Sequence, residues 1–302
     1  MHDGHAHTHS HSHVHHTSDT PNQRYTIAIG LNLAFVAAET IAGFAANSTA
    51  LLSDAAHNLS DVLGLALAGG AAMLAKKRTS DKRTYGFSKA TVLAALANAL
   101  VLVIACGGIA WEAAQRLYAP QATQPFLVMA VAAAGVVLNG STAMLFLTGR
   151  REDVNVRGAY LHMLGDAAVS AGVIVSGALI WLTGAQWIDP ITSLLVVALI
   201  LWSTWGLLRE SLDLALDAAP AHIDVAAVRE HLAGQQGVTA VHDLHIWAMG
   251  ASTPALTAHL VRPDGGDDAF LAALADSIAH KFGITHVTIQ IERAQRDDCA
   301  EC

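Results

Sequence analysis

The stretch Leu51–Gly70, LLSDAAHNLSDVLGLALAGG, decides how the rest of the chain is read. It lies inside a long run of apolar and small residues, yet it carries Asp54, His57 and Asp61. Spacings of three and four residues put these side chains on one face of a helix. A carboxylate in hydrocarbon costs about 3 kcal/mol or several times more. It persists there with a partner, a water-filled cavity or a bound cation. A second stretch repeats the pattern: Ala159–Gly172, AYLHMLGDAAVSAG, carries His162 and Asp166 at the same i, i+4 spacing. Two helices each offering an imidazole and a carboxylate make four N/O ligands, the tetrahedral zinc arrangement. The alternative is a private His–Asp hydrogen bond within each helix. The recurrence of the pair in two apolar segments favours a shared ion.

Composition sets the class. Hydrophobic residues make up 53% of the chain and charged residues 14%, against about 25% charged in a soluble domain. Apolar stretches of about twenty residues recur, the length that crosses a bilayer. The net charge of −8 and the absence of a basic stripe exclude nucleic acid as a partner. Three cysteines, Cys106, Cys299 and Cys302, argue against a disulfide scaffold. The N-terminus is polar and histidine-laden, unlike a secretory signal. Nothing matches a nucleotide-binding loop or an H-E-x-x-H protease motif.

Six spans are predicted: about 25–46, 50–75, 90–111, 126–148, 158–182 and 191–208. The first carries Asn32 and Glu39, which either line a polar path or hydrogen-bond a neighbouring helix. The fourth carries Asn139. Basic loops, Lys76–Lys89 (KKRTSDKRTYGFSK) and Gly149–Arg157 (GRREDVNVR), follow spans two and four; the loops after spans one, three and five have no Lys or Arg. The positive-inside rule then puts both termini in the cytoplasm. Asp61 falls about ten residues into its span, roughly 15 Å deep. Asp166 enters from the opposite side to a comparable depth, so the two pairs can meet near the bilayer midplane.

The ends of the chain carry further metal-binding signals. Residues 1–23 form a polar tail in which His2, His5, His7, His9, His11, His13, His15 and His16 alternate with small residues. A tail with so little to bury is expected to be disordered without a ligand, and its histidines bind transition metals without choosing among them. Residues 24–209 form the membrane domain, and 210–302 a soluble α-β-β-α-β domain with an antiparallel sheet. That domain holds His242, His245, His259, His280 and His286, and ends in Cys299-Ala-Glu-Cys302. Strand alternation predicts that His242 and His245 point to opposite faces. The two terminal thiols have chelating spacing, and metal binding is favoured over redox chemistry because no βαβ redox context surrounds them.

Together, ALLSDAAHNLSD (50–61), RTYGFSKAT (83–91), AYLHMLGDA (159–167) and VHDLHIW (241–247) resemble the cation diffusion facilitator family of proton-coupled zinc exporters. The resemblance is to the bacterial cobalt–zinc–cadmium resistance branch and its vertebrate zinc-transporter relatives. It implies a homodimer with ferredoxin-like cytoplasmic domains in a bacterial inner membrane. It also implies a transport site of His57, Asp61, His162 and Asp166, carrying zinc and possible relatives such as cadmium or cobalt. The family's cytoplasmic site matches His242 and His259, with Glu292 at the third-strand position and Gln290 where some relatives keep histidine. Cys299 and Cys302 look like the pair seen in vertebrate vesicular transporters, whose remaining ligands come from the partner's N-terminus. The Lys76–Lys89 loop has no histidine, so no metal site is expected there. The expected mechanism is exchange of a divalent cation for protons, which compete for imidazoles of ordinary pKa about 6.5.

Overall fold

The computed structural model describes residues 21–145, 154–250 and 253–294. The histidine tail and the Cys299/Cys302 pair lie outside them. Six long helices come first: α1 (Pro21–Ala46), α2 (Thr49–Ala75), α3 (Ala90–Tyr118), α4 (Pro125–Leu145), α5 (Val154–Thr183) and α6 (Ile188–Ala215). Five of them, α2 to α6, are long and apolar enough to cross a membrane; α1 contributes a shorter apolar stretch, Gly30–Ala46. The chain is an integral membrane protein. α6 continues past the expected end near 208 because Arg209 and Glu210 end its hydropathy but not its helical propensity.

α2 packs against α1, α3, α5 and α6, which puts the Asp54–His57–Asp61 face inside the bundle. Small residues permit this closeness. A Cβ on Gly43 would meet Leu52 Cδ2 at 2.7 Å, and one on Gly135 would meet Ser170 Oγ at 3.0 Å.

The start of α2 is pinned by polar contacts. Asn47 turns the chain with a φ of 58°, and Ser48 caps the helix, its Oγ accepting from Leu51 N. The buried carboxylate of Asp189, in the first turn of α6, accepts from Ser48 Oγ (2.5 Å), Thr49 N (2.7 Å) and Thr49 Oγ1 (2.8 Å). Arg116, in the last turn of α3, donates to the Asn47 carbonyl. This end of the bundle is therefore tied across three helices.

The C-terminal domain follows as α7 (Val225–Ala233), β1 (Ala240–Gly250), β2 (Thr253–Val261), α8 (Asp268–Phe282) and β3 (His286–Glu292). Asp224 and Asp267 cap the two helices through their side chains, and Gly283 closes α8 in the left-handed region at φ 72°. The core gathers Val228, Leu232, Leu256, Leu260, Leu274 and Ile278.

The sheet corrects one expectation. β1 and β2 are antiparallel, but β2 and β3 are parallel, so the sheet is mixed, in the order β1-β2-β3. The connection through α8 is a βαβ crossover, which carries the chain back to the end of the sheet where β2 began and makes the joined strands parallel. The domain meets the bundle beside the basic loop. Lys89 pairs with Asp217, the Tyr85 ring lies edge-on to His286 at 5.9 Å, and Gly250 lies against the Ser88 carbonyl.

Candidate metal centres

The four residues picked out on α2 and α5 come together in the bundle. His57 Nε2 lies 3.0 Å from Asp166 Oδ1, and His162 Nε2 lies 3.2 Å from Asp61 Oδ2. The contacts within each helix are longer, 3.8 Å for His57–Asp61 and 3.7 Å for His162–Asp166. The short contacts thus run between helices, which the private-pair alternative does not require. A tetrahedral zinc with bonds near 2.0–2.1 Å has ligand atoms roughly 3.3 Å apart; the four contacts bracket that value but draw on both oxygens of Asp166, and one ligand atom from each of His57, Asp61 and Asp166, without His162, fits within 4.8 Å.

Access to the four is graded. The side chains of Asp166 and His57 are 5% and 15% exposed, those of Asp61 and His162 are 32% and 47% exposed. The open pair is nearer the C-terminal domain, since α2 runs toward the basic loop and α5 runs away from it. Beyond the closed pair, Asp54 is fully buried and accepts from Ser170 Oγ at 2.7 Å. Glu39, also fully buried, accepts from Asn58 Nδ2 at 3.0 Å, so the expected contact with a neighbouring helix is present.

A second cluster sits on the sheet of the C-terminal domain. His242 and His259 are direct partners in the β1–β2 register, with rings 5.1 Å apart. Glu292 Oε2 lies 3.2 Å from His242 Nε2, and Glu292 Oε1 lies 3.3 Å from His259 Nδ1. Gln290 does not point away as a vacant fourth position; it donates to Glu292 Oε1 at 2.8 Å and orients the carboxylate. One ligand atom from each of His242, His259 and Glu292 fits within a 4.8 Å group.

Here the structure corrects a second expectation. Strand alternation placed His242 and His245 on opposite faces. A bulge between them removes one step of alternation: His242 pairs with His259, but His245 pairs with Thr257, two residues along the same face. Asp243 makes the bulge with a φ of 50°. Its carboxylate lies 2.8 Å from His245 Nε2 and 3.4 Å from His259 Nε2, which extends the cluster by two residues the sequence reading did not assign. The partner imidazoles, His245 first, hold the Asp243 carboxyl below the usual carboxylate range. An aspartate between two histidine motifs, a residue type tolerant of the left-handed region, is the one signal that pointed to the bulge. His286 lies edge-on to Tyr85 instead, and His280 lies in the last turn of α8.

Comparison with known proteins identifies the two domains. Residues 25–214 match the cation efflux transmembrane domain, and residues 220–294 match the cation efflux protein cytoplasmic domain. The metal cation efflux system protein CzcD of Cupriavidus metallidurans is 37% identical, over 92% of this chain and 90% of that one. The zinc transporter ZitB of Escherichia coli is 36% identical, over 92% of this chain and 91% of that one. The cadmium, cobalt and zinc/H(+)-K(+) antiporter of Bacillus subtilis is 35% identical, over 84% and 83%. A solved metal-bound C-terminal domain of the C. metallidurans CzcD transporter is 41% identical over 23% of this chain and 99% of that one, at a TM-score of 0.20. The chain belongs to the cation efflux family and is a metal cation efflux transporter, not an enzyme.

Proposed function

We propose that the protein exports zinc from the cytoplasm, with cadmium and cobalt as further cargo, in exchange for protons. The observation that carries this reading is the interhelical His57–Asp166 and His162–Asp61 geometry on α2 and α5. Mixed imidazole and carboxylate donors at these separations suit zinc and its neighbours. The relatives' names include both zinc and proton exchange. The same set of contacts gives the release step. An imidazole already beside a carboxylate can accept a proton and keep that carboxylate as its partner, so a proton replaces the metal without leaving a bare buried charge.

The graded exposure indicates a state open toward the C-terminal domain, with Asp61 and His162 as the entry ligands. The Asp189 and Arg116 contacts close the opposite end. Outward opening must loosen that end while the metal stays held. By the distribution of basic loops, both termini and the C-terminal domain face the cytoplasm; the bacterial relatives point to a bacterial inner membrane. Two chains assemble through their cytoplasmic domains.

The cytoplasmic cluster fits a resident zinc ion. His242, His259 and Glu292 would hold it; His259 Nδ1 is buried and faces Glu292 Oε1 at 3.3 Å without an aligned hydrogen bond. Bound there, zinc joins all three strands and reports cytoplasmic zinc to the transporter. The tail histidines and the Cys299/Cys302 thiols are additional donors for that regulation.

The test is transport in proteoliposomes. Zinc uptake should move protons in the opposite direction and should stop when the proton gradient is collapsed. Zinc flux that persists unchanged without a gradient and moves no protons would sink the exchange reading.

A further inference from the structure

Glu39 on α1 and Asp54 on α2 have 0% exposure, and Glu39 meets α2 at Asn58, one helical turn from Asp54, so the two carboxyls interact inside the bundle. One oxygen of each is held by a neutral donor, Asn58 for Glu39 and Ser170 for Asp54. The remaining oxygens, Glu39 Oε1 and Asp54 Oδ1, are buried and have no hydrogen-bond partner among the described residues. As carboxylates, both can only accept.

The surrounding charges do not resolve this conflict. α1 has no other titratable residue in its apolar stretch Gly30–Ala46, and α4 has none. On α2 and α5 the nearest are His57, Asp61, His162 and Asp166, which already pair with one another. On α3, Arg116 is taken by Glu112 and Asn47. On α6, Asp189 is taken by Ser48 and Thr49. No ion pair involving Glu39 or Asp54 occurs among the described residues. Two adjacent carboxylates out of water cannot both stay charged. A single proton between them makes one a donor and satisfies both orphan oxygens.

We propose that Glu39 and Asp54 hold one shared proton, which leaves when a divalent cation occupies the site formed by His57, Asp61, His162 and Asp166. The pair is then a proton site separate from the metal ligands. This rests on the reading of those four residues as the transport site. Coupling follows from position. Asp54 is one helical turn from His57 and interacts electrostatically with both His57 and Asp166. Its donor Ser170 is one turn from Asp166 on α5. A divalent charge one turn away favours the ionised pair. The shared O–H bond breaks, its electrons stay on the carboxylate oxygen, and the proton passes to water at the open side. On proton binding the reverse step restores the hydrogen bond and weakens the hold on the metal.

The experiment uses the full chain in lipid nanodiscs with zinc alone as the probe. Infrared difference spectra of the wild type should lose a protonated-carboxyl C=O band when zinc binds. Glu39→Gln and Asp54→Asn should lack that band and release about one proton fewer per zinc bound than the wild type. Zinc that binds the wild type while the band stays, or variants that release as many protons per zinc, would overturn the shared proton. Failure of the wild type to bind zinc at the four-residue site would overturn the site reading and this proposal with it. The wild-type spectrum decides the matter even if a variant folds poorly.

Discussion

Asp166 touches both imidazoles of the transport site, at 3.0 and 3.7 Å, and its side chain is the most buried of the four. Loss of a supporting group around a metal already costs about 10–100-fold in affinity, so loss of this ligand should cost more. Asp166→Ala is expected to reduce zinc binding and transport by over about 100-fold. Asp61→Ala should do the same, since it contacts the same two rings. Zinc uptake at wild-type rate by either variant, at equal membrane levels, would remove the residue from the site. His57 allows a finer test. His57→Asp replaces an imidazole with a harder oxygen donor, which suits manganese better. Transport should continue with weaker discrimination against manganese, read from competition between manganese and zinc uptake. The four residues were legible in the sequence because i, i+4 spacing is a local property of one helix. The choice of partners was not. Which imidazole meets which carboxylate depends on how α2 and α5 pack, and that depends on glycines and alanines scattered along several helices.

At the scale of elements, the caps and joints decide what moves. Asp189 supplies the acceptors for two hydroxyls and one N–H at the buried start of α2. Hydrogen bonds to a charged group contribute about 1.5–3 kcal/mol, and stranded buried donors cost about 1–3 kcal/mol each. Asp189→Ala should therefore destabilise the bundle by about 3 kcal/mol or more, visible as a lower thermal midpoint in detergent. A midpoint unchanged from the wild type would show that the α2–α6 joint does not hold this end closed. His231 on α7 gives a pH dependence. Burial, then the Lys281 ammonium, pull its imidazole below the ordinary value; its Nε2 bonds to Ser277 Oγ of α8 at 2.7 Å. The folded state thus favours the neutral ring, and the unfolded chain binds a proton more readily. The contribution is whole above about pH 6.5 and is lost as pH falls through the lowered folded value. Amide exchange in α7 and α8 should accelerate over that descent, once corrected for intrinsic rates, and His231→Gln should flatten the effect. The element order of this domain was legible: the expected α-β-β-α-β is the order found, α7-β1-β2-α8-β3. The parallel pairing of β2 and β3 and the Asp243 bulge were not. Alternation identifies a strand but not its direction in the sheet, and a bulge breaks the rule on which the reading relies.

For the molecule as a whole, the question is how the C-terminal domain is held on the bundle. Composition showed two parts of the chain, and the membrane part was readable from hydropathy alone. The contact between them was not, because it is made by exposed and small residues without periodicity. The Lys89–Asp217 pair has side chains that are 37% and 58% exposed, and exposed pairs contribute about 0–1 kcal/mol. Steric fit at Gly250 weighs more. A Cβ there would lie 2.8 Å from the Ser88 carbonyl oxygen, a backbone atom that cannot swing aside. Overpacking of this kind costs about 1–3 kcal/mol, more than the ion pair returns. Gly250→Ala should therefore push β1 off the loop and loosen the docking, while the transport site, far along α2, keeps its zinc. Hydrogen exchange in residues 76–89 should accelerate, zinc bound per transport site should stay the same, and the zinc concentration needed for half-maximal transport should shift. If loop exchange is unchanged in the variant, the domain is held by contacts other than this one.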